Sequence, residues 1–360
     1  MAKLSHIYRI SNFRITMITS STKTIGIIGA VWDPEKGETL KTLVIQNGKI
    51  SRIQDGKADL SDIPGISVII LDEGTIVFPG LINLHAHTTY NILPIWESNA
   101  VWKNRFQWRN NPGYKQDIGG LLDYIQKNWK NDPDPRFVAA IDQSVEQVTE
   151  AYAVISEIQA VAGGTTLIQE TADLDKEPTN ERTFIIRNTG EQADLQIPAS
   201  EQVYSVVDFY EPDISIASNL QKANLVLTHG CGLDLSDEAM LDAMAACGVS
   251  LIWSPVSNLL LYMDTTDISK LLHRNINVCL GSDWSPSGSK HVLDELKFAK
   301  FVNDLLGMGI SNEDLFKMVT TNAVKALGTS GTGAILPGYD ADLFVLRKND
   351  PDALQALLKV

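Results

Sequence analysis

Two histidines one residue apart, His85 and His87, close an apolar run that begins at Leu81. Side chains at i and i+2 of a β-strand point to the same face, so the two imidazoles can converge on one point at the strand's end. Packing explains such a pair poorly, and a divalent cation explains it well. An H-x-H pair also arises by chance, so a metal site needs further ligands from elsewhere in the chain. Two later apolar runs end in the same manner. Leu225-Val226-Leu227-Thr228 leads to His229 and Gly230, and Val278-Cys279-Leu280-Gly281-Ser282 leads to Asp283. Histidine and aspartate at strand ends suit a zinc-like site, with Asp283 able to act as a base on a bound water. A capping or turn role accounts for each residue taken singly. One shared site is the better account of all four at matching strand ends.

The elements that must position these residues alternate from Pro79 onward. Strands are expected at 81–84, 165–169, 183–187, 203–209, 225–228, 250–253 and 277–280. Helices are expected at 119–128, 137–162, 236–247, 268–273, 292–306 and 311–327. Such alternation argues a parallel sheet covered by helices. Seven strands are one short of a closed eight-stranded barrel, whose active site would lie at the strands' C-terminal ends. Ser236 and Ser311 read as helix N-caps, the latter with Asp314 in a capping-box position, and Gly248 and Gly328 read as stops. Before Pro79 the chain is β-rich at 7–15, 24–31, 42–45, 49–53 and 66–71. Asp33-Pro34-Glu35-Lys36-Gly37 supplies a turn, and Asn47-Gly48 is a hairpin signal. The stretch 333–346 returns to strand and turn, and is expected to rejoin this N-terminal β unit.

Composition bounds the partners. A net charge of −14 without a basic stripe argues against nucleic acid or an anionic membrane, which need clustered Lys and Arg. No run approaches the roughly 18 apolar residues of a membrane span, and the first residues lack a signal-peptide core, so a cytoplasmic protein is expected. The three cysteines, Cys231, Cys247 and Cys279, form no C-x-x-C pair and read as small buried residues of a reducing compartment.

Taken together, Val77-Phe78-Pro79-Gly80-Leu81-Ile82-Asn83-Leu84-His85-Ala86-His87, Thr228-His229-Gly230, Trp253-Ser254-Pro255-Val256-Ser257-Asn258, Gly281-Ser282-Asp283-Trp284-Ser285-Pro286 and Leu336-Pro337-Gly338-Tyr339-Asp340-Ala341-Asp342-Leu343 resemble the amidohydrolase superfamily. The branch is that of cytosine and guanine deaminases and triazine hydrolases. The resemblance covers nearly the whole chain. It implies an α/β fold: a (β/α)8 TIM-like barrel over 80–330, whole or lacking one β/α unit, inserted in a small β-sandwich built from 1–79 and 331–360. It implies hydrolysis of a C–N bond, by deamination of a cyclic amidine in a heterocyclic small molecule, through water activated by one divalent metal ion, zinc first and iron second. By position, His85 and His87 look like first-strand ligands, His229 like the sixth-strand residue beside the substrate, and Asp283 like the eighth-strand residue that binds metal and shuttles the proton. A homo-oligomer is left open by the sequence.

Relatives of this kind carry a fifth-strand histidine as a further ligand, often with a glutamate three residues later. Here no histidine lies between His87 and His229. Either Asp208 replaces that ligand and Glu211 keeps the acid–base position, or the strand at 203–209 is an earlier one and the fifth is deleted. The short span from Gly164 to His229 favours the deletion, given connections of about 2–6 residues. After Leu346 only Arg347 to Val360 follow, where relatives usually continue with sandwich strands, so either a trimmed domain or a truncated gene product is expected. His6 and His273 read as surface or capping residues, while His291, close behind Asp283, is left open. Trp96, Trp102 and Trp108 either stack on a flat substrate or pack a long loop. Two other functions compete with deamination. One is a degenerate, non-catalytic homologue with a weakened metal site. The other is amide-ring or dipeptide hydrolysis at a binuclear centre, for which no lysine stands at a strand end.

Overall fold

The computed structural model describes residues 6–10, 15–18, 24–87, 90–91, 93–98, 100–103, 105–128, 148–170, 186–188, 204–206 and 225–359. Eight strands from both chain ends form one sheet: β1 (His6–Ile10), β2 (Ile15–Ile18), β3 (Ile25–Asp33), β4 (Gly37–Gln46), β5 (Lys49–Asp55), β6 (Ser67–Leu71), β7 (Thr75–Pro79) and, far along the chain, β15 (Leu343–Arg347). Asp33 Oδ1 accepts the amides of Glu35 and Lys36 and turns β3 into β4. Asn47 and Gly48 both sit at positive φ (50° and 75°), the geometry of the tight hairpin turn that this pair favours. β15 lies antiparallel between β7 and β2, as the tail was expected to do. Strand alternation divides the sheet's apolar residues between two faces. Val77, Leu343 and Val345 pack with Leu43, Ile45 and Ile50 of the β4–β5 hairpin. On the other face Phe78 stacks on Phe344 (centroids 5.4 Å apart) and meets Phe316 edge-on at 5.6 Å.

That second face shares one core with a TIM-barrel-like set of seven described parallel strands. These are β8 (Leu81–Ala86), β9 (Thr165–Glu170), β10 (Arg187–Asn188), β11 (Tyr204–Val206), β12 (Val226–Thr228), β13 (Ser250–Trp253) and β14 (Asn277–Leu280). Each falls within or beside an expected strand. The orders β10-β9-β8 and β11-β12-β13-β14 join where Asp283 N–H donates to His85 O (2.9 Å), placing the last strand beside the first. β8, β12, β13 and β14 are buried along their whole length, as central parallel strands are.

The helices are α1 (Arg105–Asn110), α2 (Pro112–Tyr114), which continues through a π-helical turn (Lys115–Gly119) into α3 (Gly120–Asn128), α4 (Val148–Ala162), α5 (Glu238–Ala246), α6 (Pro255–Tyr262), α7 (Ile268–His273), α8 (Val292–Leu306), α9 (Asn312–Lys317), α10 (Thr321–Ala326) and α11 (Ala353–Leu358). Several differ from expectation, and α1 and α2 stand where no helix was expected. The single helix expected over 311–327 is two, because Met318 and Val319 turn their carbonyls away to accept Leu280 N–H (3.1 Å) and Ile82 N–H (2.8 Å). α5 is capped by Asp237, one residue after the serine expected there. α6 was not among the expected helices; Pro255 at its first position is a start signal. Ser311 caps α9 as expected, its Oγ accepting Asp314 N–H. Below the strands, Ala323, Ala326 and Leu327 pack on Ile82, Leu84, Leu167, Val226, Ile252 and Cys279. Cys247 is exposed at the end of α5, against the expectation that all three cysteines are buried. No helix among the described residues is long and apolar enough to cross a membrane.

Candidate metal centre

Four of the residues singled out at strand ends come together. His85 Nε2 lies 3.3 Å and His87 Nε2 3.5 Å from Asp283 Oδ1, and His229 Nε2 lies 3.8 Å from Asp283 Oδ2. The His85 ring stands edge-on to those of His87 (4.9 Å) and His229 (5.5 Å). Ligand atoms of His85, His87 and Asp283 lie within 4.8 Å of one another, the spread a single ion requires. Asp208 and Glu211 lie outside the described residues. β11, the strand they would follow, is hydrogen-bonded directly to β12, which carries His229 at its end.

The backbone helps to aim these groups. His229 (φ 69°) and Asp283 (φ 56°) both occupy the left-handed region, a conformation that costs about 1–2 kcal/mol in a residue bearing Cβ. Such strain persists only where the surroundings hold it. Here His229 N–H donates to Ile252 O (2.8 Å), and His229 O accepts from Thr266 Oγ1 (2.9 Å) and Asn258 Nδ2 (3.1 Å). Asn83 clamps the neighbouring loop: its Nδ2 donates to Ser282 Oγ (2.7 Å), and its Oδ1 accepts Ser282 N–H (3.0 Å). Gly281 is required by close approach, since a Cβ there would stand 2.5 Å from His85 Cβ.

Partners absent from the sequence reading complete the shell, and α6 brings most of them. Ser257 Oγ donates to Asp283 Oδ2 (2.6 Å) and lies 2.9 Å from Ser287 Oγ. Asn258 Oδ1 meets His229 Nδ1 at 3.0 Å. Because Asn258 Nδ2 is already donating to His229 O, the amide oxygen must face the ring, so His229 donates from Nδ1 and leaves Nε2 as a lone pair toward Asp283. Carbonyl and carboxylate partners of this kind fix the tautomer of metal-binding histidines.

Charge makes the same point. Burial, then the neighbouring His85, lowers the pKa of His87 to about 4 against the pull of Asp283, so its ring is neutral at pH 7. Burial would raise the Asp283 carboxyl, but the hydrogen bond and charge of His85, with His229 and His87, outweigh it and hold it well below the usual carboxylate range. A buried carboxylate ringed by imidazole nitrogens is a donor set for a cation, and with the rings deprotonated it fits a divalent metal.

The aromatic residues divide. Trp96 stacks on Trp102 (6.1 Å, 14° between planes) and meets Tyr114 edge-on, and Trp108 stacks on Trp284 at 5.5 Å. The three expected tryptophans thus pack with one another and their neighbours. Among the described residues, the aromatic ring that reaches the histidines is Tyr90, edge-on to both His87 (6.4 Å) and Trp284 (5.4 Å). His291 N-caps α8, its Nδ1 accepting Asp294 N–H, which settles the histidine left open.

The amidohydrolase family model matches residues 187–359. A 5-methylthioadenosine/S-adenosylhomocysteine deaminase of Caldicellulosiruptor saccharolyticus is 23% identical over an alignment covering 89% of this chain and 83% of that protein. Among solved structures, atrazine chlorohydrolase from Arthrobacter aurescens TC1 complexed with zinc superposes with a TM-score of 0.65 at 17% identity, covering 93% of this chain and 91% of that one. Guanine deaminase from C. acetobutylicum, with guanine bound, superposes with a TM-score of 0.61 at 18% identity, covering 94% and 95%. At these identities the structural likeness shows the fold. The chain is thus similar to the amidohydrolase family over residues 187–359, and to named deaminases along most of its length.

Proposed function

We infer that this chain is a metal-dependent deaminase of a flat, nitrogen-rich heterocycle. The observation that carries the reading is the convergence of His85, His87 and His229 Nε2 atoms on the two oxygens of Asp283. His85, His87 and Asp283 would hold the ion, zinc first, with Asp208 a further ligand and Glu211 an acid–base group. A bound divalent ion supplies a water acidic enough to attack at neutral pH.

The chain's own groups do the rest. Asp283, ionised and held at Oδ2 by Ser257, keeps Oδ1 for the ion and is placed to take a proton from the attacking water and deliver it to the leaving nitrogen. His229, fixed as the Nδ1–H tautomer by Asn258, presents Nε2 to the substrate, where it would accept the second proton of the attacking water and pass it to the ring nitrogen that gains charge. Tyr90, standing over His87 and backed by Trp284, offers an aromatic edge to a planar ring. The substrates to try first are aminopurine nucleosides and free purines, on the strength of what the 5-methylthioadenosine/S-adenosylhomocysteine and guanine deaminases are named for.

Elemental analysis tests the metal, with near-stoichiometric zinc or iron expected in the purified protein and its loss in His85→Ala. Ammonia release is then read across adenosine derivatives, guanine, cytosine and triazines. Metal-free protein whose stability ignores chelators would replace this reading with the degenerate, non-catalytic one. Metal without ammonia from any of these compounds would sink deamination.

A further inference from the structure

We propose that Glu295 is a positioning residue for the candidate metal centre, acting on Asp283 and His229 at once through the N-terminus of α6 and the loop that follows Asp283. The proposal rests on the metal-site reading above and names a residue that touches neither ligand. Glu295 is fully buried in the first turn of α8. A carboxyl with no solvent requires partners, and it has two. Its Oε1 accepts Val256 N–H at 3.0 Å, and its Oε2 is hydrogen-bonded to Ser289 Oγ.

Each partner leads to the site. α6 lacks the usual side-chain cap: Ser254 occupies the cap position but makes no capping bond, because its Oγ donates to Gly281 O (2.8 Å). Pro255 has no N–H, so Val256 offers the first amide of the helix, and Glu295 satisfies it from another helix. Directly after Val256 come Ser257, bonded to Asp283 Oδ2, and Asn258, bonded to His229 at Nδ1 and at its carbonyl. The second partner, Ser289, donates its own N–H to Ser282 O (3.0 Å), beside Asp283. One carboxyl therefore pins both the helix that orients two site residues and the far end of the loop that carries one of them. Both bonds survive protonation, since the O–H of a neutral carboxyl can donate to Ser289 Oγ while the other oxygen accepts Val256 N–H. Burial raising this group to about 8 accords with a neutral form.

The test compares Glu295→Gln, whose amide oxygen can accept from Val256 and whose amide nitrogen can donate to Ser289, with Glu295→Ala, which loses both bonds. Three measurements are made: cobalt(II) affinity by chelator competition, the visible spectrum of the cobalt protein, and the His229 ring-nitrogen shifts in metal-free protein. Glu295→Gln is expected to match the parent in all three. Glu295→Ala is expected to lose affinity on the order of 10–100-fold, as outer-shell changes do, with an altered cobalt spectrum and a His229 no longer held as one tautomer. Parent-like values for Glu295→Ala in all three would overturn the proposal. If Glu295→Ala does not fold, Glu295→Asp keeps the carboxyl but shortens the reach, and is expected to be impaired where Glu295→Gln is not. The reverse ranking would overturn the proposal by making an ionisable carboxyl, and not its two hydrogen bonds, the operative feature. If the parent protein takes no cobalt, the metal reading fails, and the His229 shifts in the same variants still decide the role of Glu295.

Discussion

Asp283 and His229 are placed by their backbones as much as by their side chains, both in a left-handed conformation that hydrogen bonds to neighbouring segments sustain. Asn258 serves His229 twice, at Nδ1 and at the carbonyl, so its loss should free both the ring and the strained peptide. Asn258→Ala is expected to keep its metal, lower kcat by about 10–100-fold and show a mixed His229 tautomer by ring-nitrogen NMR; a single tautomer with undiminished kcat would remove Asn258 from the site. The four strand-end residues were legible because each follows an apolar run of strand length, and alternation in such runs predicts direction. Their partners were not. Ser257, Asn258 and Glu295 lie on helices, where a serine reads as solvent-facing, and a glutamate in a first turn reads as a charge placed for the helix dipole. No local pattern tells that Glu295 points into another helix.

Among the elements, α6 was not expected because its eight residues are few for a helical period to show and Ser254 makes no side-chain cap, and it is the element on which the site most depends. Its C-terminus offers a clean test. Met263 ends α6 at φ 52° with its side chain 70% exposed, so it bears the cost of a left-handed Cβ without burying its apolar body. Met263→Gly is expected to stabilise the protein by about 0.5–1 kcal/mol, the left-handed relief less the unfolded-chain entropy of glycine. Equilibrium urea unfolding should report this as a higher midpoint at constant m, and a lower midpoint would contradict the strain argument. Gly281 runs the opposite way. Gly281→Ala would drive a Cβ to 2.5 Å from His85 Cβ and 2.9 Å from His85 N, displacing β8 from β14. A loss of about 1–3 kcal/mol, with weakened metal binding, is expected from denaturation and chelator competition. The break between α9 and α10 was equally hidden, since it serves the amides of Ile82 and Leu280 and nothing within its own segment.

At the scale of the whole molecule, the sheet and the barrel-like strands share one apolar core through Phe78, Phe316 and Phe344, so a change in stability at one part should be felt across both. The general plan was readable because seven strand-length apolar runs and a returning tail leave few alternatives. The way the carbonyls of Met318 and Val319 join β8 and β14, a contact between segments far apart in sequence, was not. Metal should couple to this shared core. An ion bound only by the folded site adds about 2.7 kcal/mol at 100 times its Kd, so thermal unfolding should shift upward with zinc in the parent and stay put in His87→Ala. Proton linkage gives a second global handle, through Glu295. Burial raises its pKa from 4.5 to about 8, with the negative charges of Asp283 and Asp294 pushing the same way against the hydrogen bonds from Ser289 and Val256. A carboxyl that binds its proton more tightly in the fold than in the unfolded chain stabilises the fold while protonated. Its contribution is therefore complete below pH 4.5 and is lost as pH rises through about 8. Urea unfolding of metal-free protein from pH 5 to 9 should show stability falling toward the alkaline end. Glu295→Gln, which mimics the protonated group at every pH, should flatten that fall while changing little at pH 5. Parallel profiles for the two proteins would mean that Glu295 carries its charge in the folded state throughout.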